Sequence, residues 1–322
     1  MDAYTIGKLI KEFRIRNGYS QEELCYGLCA VSTLSRIERG DQVPNKKTAE
    51  AFLSRLGVST SSSYIVMNNV DFDRWNLEQQ MTQAILSDDC DIGNLIKEYE
   101  SLGEMDNLER QKILFFKTIC ENHHENDKQA VLSHFVEALQ LSIPNFRLGE
   151  EFSFSLLTET ERLILNNIAI AEFELGNIEE AIRIEEFIRN YYETKSTNSL
   201  FCSTNLPVIL FNLSNWYETK GDYEESIEAA AAGKKVCIKF GQLDHFPLFI
   251  MNSGWAYGKL GDMKKCKSDI DYAIKTLVEM EKFEFADEQL RIVQSEFPNI
   301  AFEKISFHEE YSPVSKSNAN SE

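Results

Sequence analysis

Residues 20–56, SQEELCYGLCAVSTLSRIERGDQVPNKKTAEAFLSRL, constrain the fold more than any other stretch of the chain. They read as helix, tight turn, helix, and then an acidic, glycine-bearing exit into a further helix. Ser20 stands where it caps a helix, and Glu23, three residues on, completes a capping box. Leu24 and Leu28 are four apart and share one face. Leu34 and Ile37 give the next helix an apolar stripe at i, i+3. Ser32, Thr33, Ser35 and Arg36 are left on its other face. Short polar side chains with one arginine suit the base edges and phosphates of a major groove.

Upstream, Ile6, Leu9, Ile10 and Phe13 recur at helical spacing and predict a first helix over 5–17, stopped by Asn17-Gly18. Helices near 21–28 and 32–39 follow. A fourth runs from Thr48 to Leu56, with Ala51, Phe52 and Leu56 inward and Gly57 at its end. This string resembles the helix-turn-helix of the lambda-repressor/Cro-like (XRE) family, in which Q-E-E-L opens the second helix and S-R-I-E-R-G closes the recognition helix. The resemblance covers roughly residues 1–57 and implies a DNA-binding domain whose partner is a double-stranded operator. It also implies a salt bridge between Arg14 and Glu38, joining the first and third helices, so Glu38 is expected to be structural. For DNA the candidates are Gln21, whose amide and helix N-terminus suit a phosphate, and Ser32, Thr33, Ser35 and Arg36 in the groove. Arg39, Lys46 and Lys47 are candidates for phosphates. Ser32 reads equally as the N-cap of the recognition helix, and Arg39, Lys46 and Lys47 equally as solvated surface.

The charge is divided unevenly. The 322 residues carry a net charge of −19, yet residues 1–57 hold nine basic and seven acidic residues, +2, which leaves −21 for the rest. The acidic remainder repels nucleic acid, so DNA is a ligand for the head alone. With only 6 Pro and 15 Gly over a long chain, the scarcity of breakers favours helices. The seven cysteines include no C-x-x-C pair, which points to reduced thiols in a cytoplasmic protein. Cys25 and Cys29 read as small buried hydrophobes. The N-terminus lacks the apolar core of a signal peptide, and no run approaches the length of a membrane span. No catalytic, phosphate-binding or dinucleotide fingerprint is visible, and His123-His124 has no partner at a metal-ligand spacing. Neither a cofactor nor a metal is expected, and an enzyme is not.

The serine cluster at 59–63 marks a linker over 58–71. Beyond it the pattern is helix, short turn, helix, with two degenerate pairs at 73–101 and 111–141. Three later segments then align on a turn glycine: LNNIAIAEFELGNIEEAI (165–182), LFNLSNWYETKGDYEESI (210–227) and IMNSGWAYGKLGDMKKCK (250–267). The glycines are Gly176, Gly221 and Gly261. A small residue follows each by five: Ala181, Ser226 and Cys266. The pattern resembles the tetratricopeptide repeat, although its spacings of 45 and 40 exceed the usual length of about 34. The fold class expected is therefore all-α. A lambda-repressor-like helix-turn-helix domain (1–57) precedes a right-handed superhelical array of TPR-like helix pairs (72–310), and a frayed tail (311–322) ends the chain.

Nine residues before each glycine stands an asparagine: Asn167, Asn212 and Asn252. The tetratricopeptide resemblance implies that this position faces a concave groove. An amide donates and accepts, so a column of amides suits an extended peptide backbone. Asn166 and Asn215 lie nearby, and Phe211, Met251 and Trp255 are candidates for apolar pockets. Asparagines that merely stabilise inter-helix turns are the alternative.

Head, linker and repeats together resemble the peptide-pheromone-responsive (RNPP) regulators of Gram-positive bacteria. What that implies is a cytoplasmic, homodimeric transcription regulator, controlled by a short signalling peptide in quorum sensing. The other reading open at this point is a regulator whose repeats bind a protein partner or a small molecule.

Overall fold

The computed structural model describes residues 6–58, 69–87, 91–124, 127–152, 154, 156–195 and 200–303. The described residues form helices joined by turns and irregular segments, without a strand. Their contacts divide the chain at Trp216/Tyr217, a different line from the composition boundary at residue 58. The expected linker falls mostly, and the frayed tail wholly, outside the described residues. No described helix is long and apolar enough to cross a membrane.

The head comprises α1 (Ile6–Arg16), α2 (Gln21–Cys25), α3 (Val31–Arg39) and α4 (Lys46–Arg55). Ile10, Leu24, Leu34, Ile37 and Phe52 form its core, as their spacing predicts, and Leu156 from the body joins them. The Ser20–Glu23 capping box is present. Arg14 pairs with Glu38 through two hydrogen bonds of 2.6 and 2.9 Å. The second helix is shorter than the expected 21–28. Arg55 Nη1 donates to the Leu24 and Tyr26 carbonyls (3.1 and 2.6 Å), holding the chain in a turn there. Gly27 continues that turn at φ +69°, and a Cβ on it would lie 1.7 Å from the Ser142 carbonyl oxygen. Only glycine meets both demands.

The body begins with the pairs α5 (Asn69–Leu86) with α6 (Gly93–Ser101) and α7 (Asn107–His124) with α8 (Lys128–Gln140). An irregular stretch then carries Phe146, Phe152 and Phe154 into an aromatic cluster with Phe187. Regular pairing resumes with α9 (Glu159–Glu174) and α10 (Ile178–Lys195), followed by α11 (Leu200–Lys220). The second unit holds α12 (Tyr223–Phe240), a short 3-10 turn (Leu243–His245), α13 (Phe246–Lys259), α14 (Met263–Glu279) and α15 (Phe283–Glu296). Ile250, Ile270, Ile274, Leu277 and Val293 are among its core residues.

The repeat signature works through local physics. Gly176, Gly221 and Gly261 take φ of +86°, +93° and +85°. The next residue's N–H then returns to a carbonyl five positions back, at Glu172, Tyr217 and Tyr257 (2.9, 2.8 and 2.9 Å). That closes each first helix with a left-handed cap. Ala181, Ser226 and Cys266 are fully buried, so the small residues sit where helices meet.

Within the first unit the head is fastened to the body along α4. Asn45 Nδ2 donates to Asp106 (3.1 Å), and the Glu159 N–H donates to Ser54 Oγ (2.8 Å). Arg55 pairs with Glu161 at 2.9 Å, with both side chains essentially buried. Glu161 also closes the capping box of α9 with Thr158. Replacing Glu161 by Gln preserves that box but leaves the Arg55 charge buried without a counter-ion. Such a loss costs about 3–5 kcal/mol. Urea denaturation of Glu161→Gln should show a markedly lower midpoint, and an unchanged midpoint would mean that the pair does not hold the head.

Candidate nucleic-acid interface and repeat surface

Helix α3 begins at Val31 with Ala30 as N-cap and no side-chain cap, so Ser32 is not the capping residue. Ser32, Arg36 and Arg39 are exposed, while Thr33 and Ser35 are half-buried beside them. The Arg36 guanidinium makes no hydrogen bond or ion pair among the described residues. Arg39 pairs with Asp41 at 2.8 Å in an exposed bridge, which screening makes weak. The outer face of α3 thus carries the polar set expected of it.

Three of the residues assigned to DNA are engaged elsewhere. Gln21 is half-buried, and its Nε2 donates to Glu38 at 2.7 Å. It helps Arg14 hold the Glu38 carboxyl below the usual range against the opposing effect of burial. Lys46 is buried, paired with Glu50 at 3.5 Å and placed over the Trp75 ring. Lys47 Nζ donates to Glu78 at 2.7 Å. Neither lysine is surface for a phosphate in this structure. Helix α4 starts at Lys46, two residues before the expected Thr48, because Asn45 caps it by accepting the Thr48 N–H at 2.8 Å. That cap turns both lysines toward α5.

Glu78 gathers Lys47 from the head, Lys112 from α7 (2.9 Å) and the Tyr99 hydroxyl from α6 (2.9 Å). Burial pushes its carboxyl up, but the two ammonium groups outweigh it and hold it at about 2. A cavity of about 90 Å³ lies beside this cluster, lined by Lys47, Glu50, Ser54, Lys112 and Glu159 among others. Cys25 is buried, and burial raises the Cys29 thiol to about 11. Among the described residues no group of His, Cys, Asp and Glu is placed to hold a metal.

The asparagines are half-buried on the first helices of their pairs, but they are not simply open to solvent. Asn167 Nδ2 donates to the Leu163 carbonyl of its own helix at 2.8 Å. Asn212 Nδ2 donates to Glu185 Oε1 (2.8 Å) and approaches Asn166 Oδ1 (3.3 Å), joining α11 to α10 and α9. Glu185 is fully buried, and the spacing of asparagines gave no hint of it. Phe211 and Asn215 lie half-buried on α11. In the second unit Asn252 is half-buried on α13. Trp255 donates from Nε1 to Glu218 at 2.9 Å and meets the Phe297 ring edge-on. Met251 is a correction: it is 6% exposed and belongs to the core of the second unit, so it lines no pocket.

Residues 10–62 match the helix-turn-helix domain family. The head is an XRE-type helix-turn-helix domain. Sequence comparison with curated proteins gives no match. In fold the chain is similar to Bacillus thuringiensis PlcR. Its complex with the peptide PapR7 and DNA aligns with a TM-score of 0.54 at 16% identity, over 89% of this chain and 99% of that one. Apo PlcR aligns at 0.56 and 16%, over 89% and 98%. The apo competence regulator ComR from Streptococcus vestibularis aligns at 0.51 and 14%, over 90% and 97%. The likeness therefore runs through the repeats as well as the helix-turn-helix head.

Glu78, on α5 and paired with Lys47 of the head, should make the stability of the first unit depend on pH. A carboxyl held at about 2, against 4.5 unperturbed, contributes stability above pH 4.5 and loses it as pH falls from there toward 2. Glu78→Gln should be less stable than the wild type at neutral pH, and the gap should close across that acid window. Urea midpoints measured along a pH series test it; a constant gap would show that the charge of Glu78 is not what matters.

Proposed function

We propose that this protein is a transcription regulator, and not an enzyme, whose operator binding is controlled by a short signalling peptide held on the first helices of its repeats. The exposed polar face of α3, with an uncommitted Arg36, carries the DNA half of this reading. Ser32, Thr33, Ser35 and Arg36 are the groove contacts and Arg39 a phosphate contact. The peptide half is supported by the half-buried asparagines and by the fold likeness to PlcR, a protein crystallised with a peptide and DNA together. Asn166, Asn167, Phe211, Asn212 and Asn215 supply the peptide surface on the first unit. Asn252 and Trp255 supply the corresponding surface on the second. The protein acts in the cytoplasm as a homodimer, because one small head makes too few contacts to select an operator alone. The peptide changes DNA affinity by binding one arrangement of the two heads better than another.

Operator sequences selected from random duplex DNA provide the assay. Arg36→Ala should lose about 1–3 kcal/mol of operator affinity at fixed salt, the value of one bidentate base contact, with the fold unchanged. Lys46→Ala and Lys47→Ala should lower stability and leave the salt dependence of DNA binding nearly as it was, because neither reaches a phosphate. Full affinity in Arg36→Ala would remove α3 as the reading helix. Light scattering on the DNA complex should give two chains per operator with recognition helices about 34 Å apart; a single chain on a single half-site would refute the dimer.

A further inference from the structure

Position nine after the turn glycine is a core position in the helix pairs. It holds Ala230 in α12 and Ile270 in α14, both fully buried. In α10 the same position holds Glu185, also fully buried. Its Oε1 accepts from Asn212 Nδ2 at 2.8 Å, and its Oε2 has no hydrogen-bond partner among the described residues. Burial raises this carboxyl well above its usual range, Asn212 only partly opposes that, and the neighbouring Glu186 adds to it. An apolar residue avoids the cost of burying a carboxyl there, and the two aligned positions hold one. A carboxyl kept at such a cost marks a place where a partner is missing from the chain itself.

The geometry shows what partner fits. Asn212 Nδ2 sits between two acceptors on two other helices, Glu185 Oε1 at 2.8 Å and Asn166 Oδ1 at 3.3 Å. Asn212 and Asn166 are both half-buried, so this amide pair lies between the solvent and the buried Glu185 rather than in the core. A ligand donor in the place of Nδ2 meets both acceptors. An ammonium has three protons and also satisfies the orphan Oε2. The charge of −21 on residues 58–322 draws cations toward the body and discourages anions.

We infer that the surface of Asn166 and Asn212 receives a cationic group of the bound peptide, an ammonium or guanidinium, with the Glu185 carboxylate beneath it as counter-ion. The inference rests on the peptide reading above and adds the chemistry of the residue that is read. Asn212 acts as the cover that the ligand displaces, and Glu185 as the charge that selects.

The test uses the full-length protein and three pools of acetylated, amidated heptapeptides, random at all but one position and free of Lys, Arg and His elsewhere. The fixed residue is lysine, its neutral isostere norleucine, or glutamate. Fluorescence anisotropy should show the lysine pool bound about tenfold or more tightly than the norleucine pool, and the glutamate pool weakest. Glu185→Gln should bring lysine down to the norleucine level. Glu185→Ala, which copies the aligned Ala230 position, should do the same, and its melting temperature confirms that it folds. Equal binding of the lysine and norleucine pools by the wild type, or a lysine preference that survives both substitutions, would overturn the inference while leaving peptide binding intact. Binding of no pool by the wild type would instead bring down the peptide reading, and this inference with it.

Discussion

The buried pair between Arg55 and Glu161 is the interaction on which the arrangement of the first unit depends. A guanidinium and a carboxylate have both been withdrawn from water, which is unfavourable unless nearly every donor and acceptor finds a partner. Arg55 makes three hydrogen bonds, to the carbonyls of Leu24 and Tyr26 in the head and outward to Glu161, while its Nε is buried without a partner among the described residues. Glu161 satisfies its second oxygen at the Thr158 N–H of its own helix cap. One pair therefore ends α2, positions the turn before α3, starts α9 and fastens head to body. None of the four can change without disturbing the others, which is why the short α2 and the docked α4 occur together.

Much of this was legible in the sequence wherever the physics is local. A capping box needs only Ser20 and Glu23 at the right spacing. A left-handed helix end needs only a glycine, and Gly176, Gly221 and Gly261 all take positive φ. The apolar stripe of Leu34 and Ile37 fixed which face of α3 would point outward. The failures are tertiary. Lys46 and Lys47 are indistinguishable from surface lysines until α5 brings Trp75 and Glu78 against them. Met251 occupies the repeat position held by the half-buried Asn166 and Phe211, yet the second unit closes over it. The asparagine pattern picked out three half-buried amides on first helices, while the partners of two of them, Leu163 and Glu185, lie at spacings no motif describes.

Two buried acids in one unit illustrate how environment decides what a carboxyl does. Glu78 is surrounded by two ammonium groups and a phenol, so it stays ionised and acts as a fastener. Glu185 has a single amide for company, so burial raises it well above the usual carboxyl range. The first arrangement is complete in itself and belongs to stability. The second is incomplete, and groups left incomplete by a fold concentrate where ligands bind.

Helix α9 connects these observations. Glu161 in its first turn grips the head, and Asn166 and Asn167 follow on the same helix, about 7.5 Å further along at 1.5 Å per residue. Helices move as nearly rigid bodies, since the close-packed contacts along their sides are bistable and do not stretch. A ligand that draws α9 toward α11 at Asn166 therefore also displaces the Glu161 carboxylate, whose partner Arg55 sets the turn before α3. The outer face of α3 is already exposed. On the proposed function, a ligand signal carried along this helix would have no need to uncover that face; it would act by changing where the face points. The energy available for this is the difference in ligand affinity between the two positions of α9, and it cannot exceed it.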